Sequence, residues 1–157
     1  MFTKYLTVFF ISMVPLIELR GAIPIALGMG LPAIPAIIVC ALGNLLPVPF
    51  IYFFARKFLL WGAGKPYIGR LCSFFLVKGQ RAGEKLVQKT GRGGLAAALA
   101  LFVGIPLPGT GAWTGTLGAS FLDMGFKSTV ASVTAGVILA AVIMSVVSLL
   151  GLHIFGL

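Results

Sequence analysis

Two charged residues stand alone in a long apolar stretch near the start of the chain. From residue 5 to residue 55 the sequence carries no charged side chain except Glu18 and Arg20. Charged groups at membrane depth are costly and usually mark the path of a substrate or an ion. Both residues lie in segment 15–24, which contains two prolines and a glycine. Since these residue types disfavour a regular helix, we predict a non-helical break that carries charges inside a membrane.

The composition excludes a water-soluble fold. Of the 157 residues, 59% are hydrophobic and 10% are charged, whereas soluble domains carry about 25% charged residues. The chain has too little polar surface to coat a fold in water, so we predict an all-α integral membrane protein. The 21 glycines and 9 prolines suit close helix contacts and broken helices.

The N-terminal segment predicts a re-entrant hairpin. Residues 5–16 are apolar, and as a helix they reach only about 18 Å into a hydrocarbon core about 30 Å thick. Residues 25–31 form a second short apolar arm, so the hairpin covers residues 1–32. Such irregular backbone is tolerated only where protein or a water-filled cavity covers it. A basic residue before an apolar run is also typical of a signal peptide, but we expect this segment to be retained.

A first membrane span follows over residues 33–55. It is uncharged from residue 33 to residue 54, which is long enough to cross the hydrocarbon core. Its second half contains Gly43, Asn44, Pro47 and Pro49, and these residues predict a kink or an unwound turn. Hairpin and span together make repeat 1, residues 1–55.

The polar part of the chain is the linker of residues 56–92. It carries nine basic residues against the single acid Glu84, or +8 of the total charge of +9. Apolar and basic residues both recur at helical spacing, so we predict an amphipathic helix, or two, on the cytoplasmic surface, facing anionic lipid headgroups. We expect no nucleic-acid partner, because no stripe of basic and aromatic residues lies on a polar domain.

The C-terminal part follows the same plan as repeat 1. A short apolar arm over 95–103 precedes a break over 105–113 that is rich in proline and glycine. With the short return after it, this forms a second hairpin over 93–124. Residues 127–157 form the final span, and residues 93–157 together make repeat 2.

An alignment of the two halves supports an internal duplication. Residues 21–28 match residues 111–118 at an offset of 90, with identical Gly, Ala, Leu and Gly. Gly43 matches Gly136 at an offset of 93. Because the matches fall at equivalent points of the two units, we predict that the halves are repeats of one another.

The charge of the linker predicts the topology. By the positive-inside rule the linker is cytoplasmic, so the first span crosses inward and the last span returns. The repeats are then inverted, both termini lie on the outer side, and the chain is a single multi-pass domain, residues 1–157, in the cell (inner or plasma) membrane. Inverted repeats with discontinuous segments near the midplane are a recurring plan of secondary transporters.

Two motifs carry a family resemblance. Residues 18–24 read Glu-Leu-Arg-Gly-Ala-Ile-Pro, and residues 106–113 read Pro-Leu-Pro-Gly-Thr-Gly-Ala-Trp. With the basic linker between them, they resemble the small multidrug export family, a branch of the DedA/VTT-like membrane superfamily. The resemblance covers essentially the whole chain. It implies two opposed re-entrant hairpins, each followed by a tilted span.

The resemblance also implies a function. Members of the superfamily transport or scramble lipids, including polyprenyl phosphate carriers, with proton coupling suggested for some. The acidic residue of their first hairpin matches Glu18. Their arginine of the second hairpin has no match here, because Thr110 follows Pro108 and Gly109.

The candidate substrate and proton site centres on Glu18 and Arg20. Arg20 would hold an anionic headgroup through its planar set of donors, and Glu18 would exchange a proton. Alternatively, the two residues are counter-ions, with each other or across a dimer, that only fix the hairpin. The other candidate residues shape the breaks or supply polar groups, and they are Gly21, Pro24, Asn44, Pro106, Pro108, Gly109, Thr110, Gly111, Trp113 and Asp123.

Three of these residues have specific alternatives. Asn44 is either a ligand of the cavity or a partner for backbone freed near Pro47. Trp113 either closes a gate or packs. Asp123 is either a second proton site or the cap at the start of the final span. These alternatives stay open at the level of the sequence.

The sequence therefore predicts a proton-coupled secondary transporter or flippase for an amphiphilic anionic lipid such as a polyprenyl phosphate. A small multidrug or lipophilic-cation exporter is the first alternative, and a non-transporting membrane scaffold is the second. We expect no enzymatic activity, cofactor or metal, since no nucleotide-binding loop or metal-ligand spacing is present. We also expect a homodimer or larger homo-oligomer, because two hairpins and two spans cover their breaks poorly.

Overall fold

The structure is a computed structural model that describes residues 1–107 and 110–154, without the side chains at positions 75, 78, 79, 82, 83, 86 and 152–154. Helices are the only regular elements within that part, which confirms the all-α class. In chain order they are α1 (Phe2–Met13), α2 (Glu18–Gly28), α3 (Ala33–Leu45), α4 (Val48–Ala63), α5 (Gly69–Gly104), α6 (Ala112–Phe121) and α7 (Phe126–Ile154).

Hairpin one consists of α1, α2 and the turn between them. With 12 and 11 residues, each helix is about 18 Å long or less, so neither can cross a membrane alone. The break is shorter than the sequence predicts. The prediction of non-helical backbone up to Pro24 is wrong, because α2 begins at Glu18 and contains Pro24. Close packing of the small and apolar residues of α2 outweighs the unfavourable helix propensity of proline.

The first span is two helices with a break. A turn at Leu46 and Pro47 separates α3 from α4, where the sequence predicts a kink. Helix α4 continues past residue 55, where the sequence predicts the end of the span, through Arg56 to Ala63. Taken together, residues Ala33–Ala63 are long and apolar enough to cross a membrane, and so are residues Phe126–Gly151 of α7.

Gly91 divides the long helix α5. Its φ of 70° lies in the left-handed region that favours glycine. The portion before Gly91 belongs to the basic linker, and the portion after it, residues 92–104, is the first arm of hairpin two. Helix α6 is the second arm, so hairpin two also joins two short helices.

The hairpins pack against the long helices. Helix α1 lies on α2 and α3, helix α2 also contacts α3 and α7, and helix α6 contacts α4, α5 and α7. Two glycines allow close approach of a span to its own hairpin. A Cβ on Gly43 of α3 would lie 2.5 Å from the Phe9 carbonyl oxygen, and one on Gly136 of α7 would lie 2.6 Å from the Ala100 carbonyl oxygen.

The outer surface of α4 is strongly apolar. Phe50 and Phe54 are 70% and 71% exposed, and Phe58, Leu60 and Trp61 are also largely exposed. A continuous apolar surface of this kind is unfavourable in water and suits contact with lipid. The fold therefore has its polar groups at the hairpin breaks and its large apolar side chains outside.

Candidate functional site

Glu18 lies at the amino end of α6. Its carboxylate accepts a hydrogen bond from the backbone N–H of Trp113 at 3.2 Å, and the amide of Ala112 also stabilises it. The first amides of a helix have no partner within the helix and carry a partial positive charge, so a carboxylate is favoured there. Glu18 is 4% exposed and has a φ of 50°, an unusual backbone conformation for a residue other than glycine.

Gly111 allows this contact. It is buried and immediately precedes α6. A Cβ at this position would overlap the carboxylate of Glu18. The absence of a side chain at Gly111 is therefore what lets the two hairpins approach at this point.

Arg20 lies at the carboxyl end of the first arm of hairpin two. Its guanidinium donates to the carbonyl oxygens of Thr110 at 2.8 Å, Ile105 at 3.2 Å and Val103 at 3.5 Å, and to that of Leu107. It also donates to the hydroxyl of Thr110 at 2.9 Å. We call these five oxygens the oxygen ring. Carbonyls at a helix carboxyl end attract a cation, so Arg20 stabilises the broken backbone of hairpin two.

Trp113 makes the reciprocal contact from hairpin two to hairpin one. Its indole Nε1 donates to the carbonyl oxygen of Met13 at 3.0 Å, and Met13 is the last residue of α1. Arg20 is the third residue of α2 and Trp113 is the second residue of α6. Each hairpin thus places a donor, from the first turn of its second arm, on the carboxyl end of the other hairpin's first arm.

The two charges bind hairpin two rather than each other. Both residues lie in the described part of the chain, and the one salt bridge recorded there joins Arg56 to Asp123. The predicted non-helical backbone at Glu18 and Arg20 is not observed, because both residues lie in α2. They reach the two halves of hairpin two from a helix whose backbone is strained at Glu18.

The remaining candidates take different positions. Gly21 and Pro24 lie inside α2, and Pro24 is exposed. Asn44 is 1% exposed, and its Oδ1 has no hydrogen-bond partner among the described residues. Pro106 is half-buried within the break. Pro108 and Gly109 lie outside the described residues.

Asp123 belongs to a separate cluster. It has a φ of 56°, lies three residues before α7, and pairs with Arg56 of α4. Beside it, the hydroxyl of Tyr52 donates to the carbonyl oxygen of Met124. The hydroxyl of Ser120 donates to the backbone carbonyl oxygen of Tyr52 at 3.4 Å. This cluster fixes α4 to the turn between α6 and α7.

A cavity of about 750 Å³ lies next to Asp123 and away from Glu18. It runs between the linker portion of α5 and the turn before α7, and its lining includes Glu84, Gln88, Arg92 and Ser128. Of the three acids of the chain, two therefore line a cavity at the basic linker, and Glu18 alone is at the hairpin junction.

Sequence reasoning missed the partners of the charges. The acceptors of Arg20 and Trp113 are mostly backbone oxygens, which carry no residue-specific signal. Tyr52 and Arg56 had a weak signal, since a tyrosine and an arginine one turn apart end the predicted span. Their connection to Asp123 depends on the way α4 packs on α6.

Comparison with known proteins gives one match. A family model described as "Putative small multi-drug export protein" matches residues 18–143, which is 126 of the 157 residues. The matched region begins at Glu18, immediately after the turn of hairpin one, and includes the break of hairpin two. No curated protein and no solved structure matches the chain.

Proposed function

The chain belongs to the small multidrug export family, and from this premise we propose that it is a secondary transporter with its transport site where the hairpins meet. The proposed substrate is an amphiphilic anion such as a polyprenyl phosphate, moved in exchange with protons. The observation that carries the proposal is the position of Glu18. A carboxylate occupies the amino end of α6, beside the guanidinium of Arg20.

This arrangement suits an anionic headgroup. Helix amino ends bind phosphate and carboxylate through their free amides, and arginine binds both through paired donors. In the present conformation Glu18 fills the position that a headgroup oxygen would take. Protonation of Glu18 would remove its charge and weaken its contact with Trp113, so an incoming anion and a proton on Glu18 favour the same rearrangement.

The packing also supports the inverted repeat that the proposal needs. Gly43 and Gly136, which the sequence aligns, each bring a span against the first arm of its own hairpin. Arg20 and Trp113 make equivalent contacts in opposite directions. We propose that the hairpins are re-entrant and opposed, and that these cross-contacts break and re-form as the site opens to one side and then the other.

The surroundings of the site complete the proposal. We place the protein in the cell membrane, with the basic linker cytoplasmic and against anionic lipid headgroups. Arg70 and Arg81 are both exposed on one side of α5, with Phe74 and Val77 between them, which suits such a surface. A homodimer or larger oligomer would cover the break of hairpin two, where Ile105 and Leu107 are 46% and 56% exposed.

Export of lipophilic cations is the second candidate function. The description of the family favours it, and so does the oxygen ring, because five oxygen atoms that bind a guanidinium can recognise a cation. A non-transporting scaffold is the remaining alternative. In that case the charged junction would serve folding alone.

Flux through reconstituted liposomes separates these functions. Wild type, Glu18→Gln and Arg20→Ala are compared for movement of a fluorescent polyprenyl phosphate and for efflux of a lipophilic cation under an imposed pH gradient. We expect wild type to move the phosphate, and each variant to lose most of that activity. Arg70→Ala is the matched control, since it removes an exposed arginine of the linker, and it should retain transport.

The outcomes point to different functions. Phosphate movement at the wild-type rate in both junction variants would exclude the proposed site. Cation efflux that survives Arg20→Ala but not Glu18→Gln would favour the second candidate. Absence of both fluxes in folded wild type would favour the scaffold.

A further inference from the structure

The oxygen ring of hairpin two is a cation-binding arrangement in its own right. Its carbonyl oxygens come from the end of α5 and from the broken backbone that follows, at Val103, Ile105, Leu107 and Thr110. The hydroxyl of Thr110 is a fifth acceptor. These atoms belong to repeat 2, whereas the cation that they bind belongs to repeat 1. The site and its occupant are therefore on different hairpins.

The side chain of Thr110 is held in place without Arg20. Its hydroxyl donates to the carbonyl oxygen of Ile105 at 2.7 Å and lies 2.9 Å from that of Leu107. This hydrogen bond within the break keeps the carbonyl groups close together. The ring is thus partly preorganised for a cation.

Without Arg20, the carbonyl oxygens of Val103 and Thr110 would lose the donor recorded for them, whereas those of Ile105 and Leu107 keep the backbone N–H groups of Leu107 at 2.8 Å and Thr110 at 3.2 Å. Acceptors that lose their partner in a desolvated site carry the full cost of that loss. Within one chain the ring lies near the surface, since Ile105 and Leu107 are about half exposed and Thr110 is half-buried. A small cation can enter where Arg20 leaves.

We propose that the oxygen ring is a binding site for guanidinium-type organic cations, and that Arg20 is the tethered ligand that such a cation replaces. Val103, Ile105, Leu107 and Thr110 provide the acceptors. The inference concerns binding at the ring and holds whichever substrate the protein transports. If Arg20 leaves the ring to hold an anionic headgroup, a cation of this class would take its place.

Chemical rescue tests the proposal. Purified Arg20→Ala is heated in detergent with about 10 mM guanidinium chloride, and its unfolding midpoint is compared with that of wild type. We expect the midpoint of the variant to rise by roughly 5 °C, and that of wild type by less than about 1 °C, because the tethered arginine competes at high effective concentration. Tetramethylammonium chloride has charge without donors and urea has donors without charge, so neither should raise the midpoint.

Two further variants sharpen the test. Adding Thr110→Val to Arg20→Ala removes one acceptor, and guanidinium should then bind about tenfold more weakly. Arg70→Ala removes an exposed arginine of the linker and should respond to guanidinium as wild type does.

Arg20→Lys keeps the positive charge and serves if Arg20→Ala does not fold. Lysine has one donor nitrogen, whereas Arg20 contacts the ring through two, so guanidinium should still raise the midpoint, by a smaller amount. A midpoint that rises no more with guanidinium than with tetramethylammonium, in whichever of the two variants folds, would overturn the proposal. That outcome would leave the liposome flux of a polyprenyl phosphate unaffected, so binding at the ring and transport are judged separately.

Discussion

Gly111 and Glu18 are in such close contact that the glycine has no room for a side chain. A Cβ on Gly111 would overlap the Glu18 carboxylate, and the same carboxylate accepts the Trp113 amide. The contact joins the backbone of hairpin two to the first residue of α2. The distance between the two hairpins at this point therefore depends on the Glu18 carboxylate.

Gly111→Ala should therefore separate the hairpins locally. The new methyl group must displace the Glu18 carboxylate, which is 4% exposed and accepts a hydrogen bond from the Trp113 amide. We expect a loss of about 2 kcal/mol in the free energy of unfolding, within the range for overpacking and loss of a charged hydrogen bond. Thermal unfolding in detergent measures it.

Gly118→Ala is the control for that experiment. It lies in the same helix, α6, and a Cβ there would meet nothing within 4 Å. Alanine is a better helix former than glycine, so this variant should be as stable as wild type or more stable. A loss in Gly118→Ala as large as that in Gly111→Ala would argue against the contact with Glu18 as its cause.

Trp113→Phe should weaken the contact between the two hairpins without leaving a cavity there. Phenylalanine keeps an aromatic ring but lacks the N–H that binds the Met13 carbonyl oxygen at 3.0 Å. We expect a loss of about 1 kcal/mol for one hydrogen bond, and faster hydrogen exchange of amides near the end of α1. Unchanged exchange at that end of α1 would argue against the reciprocal contact.

Gly136→Ala should disturb the contact between α7 and the first arm of hairpin two. The added Cβ would lie 2.6 Å from the Ala100 carbonyl oxygen and 2.6 Å from the Val103 Cβ. Backbone cannot move aside as a flexible side chain can, so we expect destabilisation of about 1–3 kcal/mol. Gly43→Ala should behave alike, because it meets the Phe9 carbonyl oxygen in the same way. A stable Gly136→Ala would contradict the close approach of the two helices.

Tyr52→Phe should cost more than Asp123→Asn. Tyr52 is 3% exposed and its hydroxyl binds the carbonyl oxygen of the buried Met124, so its loss leaves a buried acceptor unpaired, at about 1–3 kcal/mol. The Asp123 and Arg56 side chains are each 41% exposed, and exposed ion pairs contribute about 0–1 kcal/mol. Both losses are read from thermal unfolding, and the reverse order would show that the ion pair holds α4.

Much of the architecture follows from the pattern of the sequence. Long uncharged runs predict the two spans, and the proline in the middle of the first run predicts the turn between α3 and α4. Short apolar arms around breaks predict the two pairs of short helices. These features are local, because hydrophobicity, run length and backbone restriction act within a few residues.

The sequence was less reliable at the first break. Segment 15–24 has the composition of a loop, yet seven of its residues are in α2. Proline in a helix costs about 3 kcal/mol, and that cost is local. The packing of Leu19, Ala22 and Ile23, all at most 1% exposed, offsets it and cannot be read from the segment alone.

By itself, the sequence determined that two opposite charges lie in an apolar N-terminal segment and that a second uncharged break follows about ninety residues later. Only the tertiary structure decided what those charges bind. Glu18 and Arg20 reach the amino end of one helix and the carboxyl end of another, both in hairpin two. The physical reason is that their partners are free backbone groups at helix ends, and every sequence has such groups. Which ends meet depends on how the helices pack.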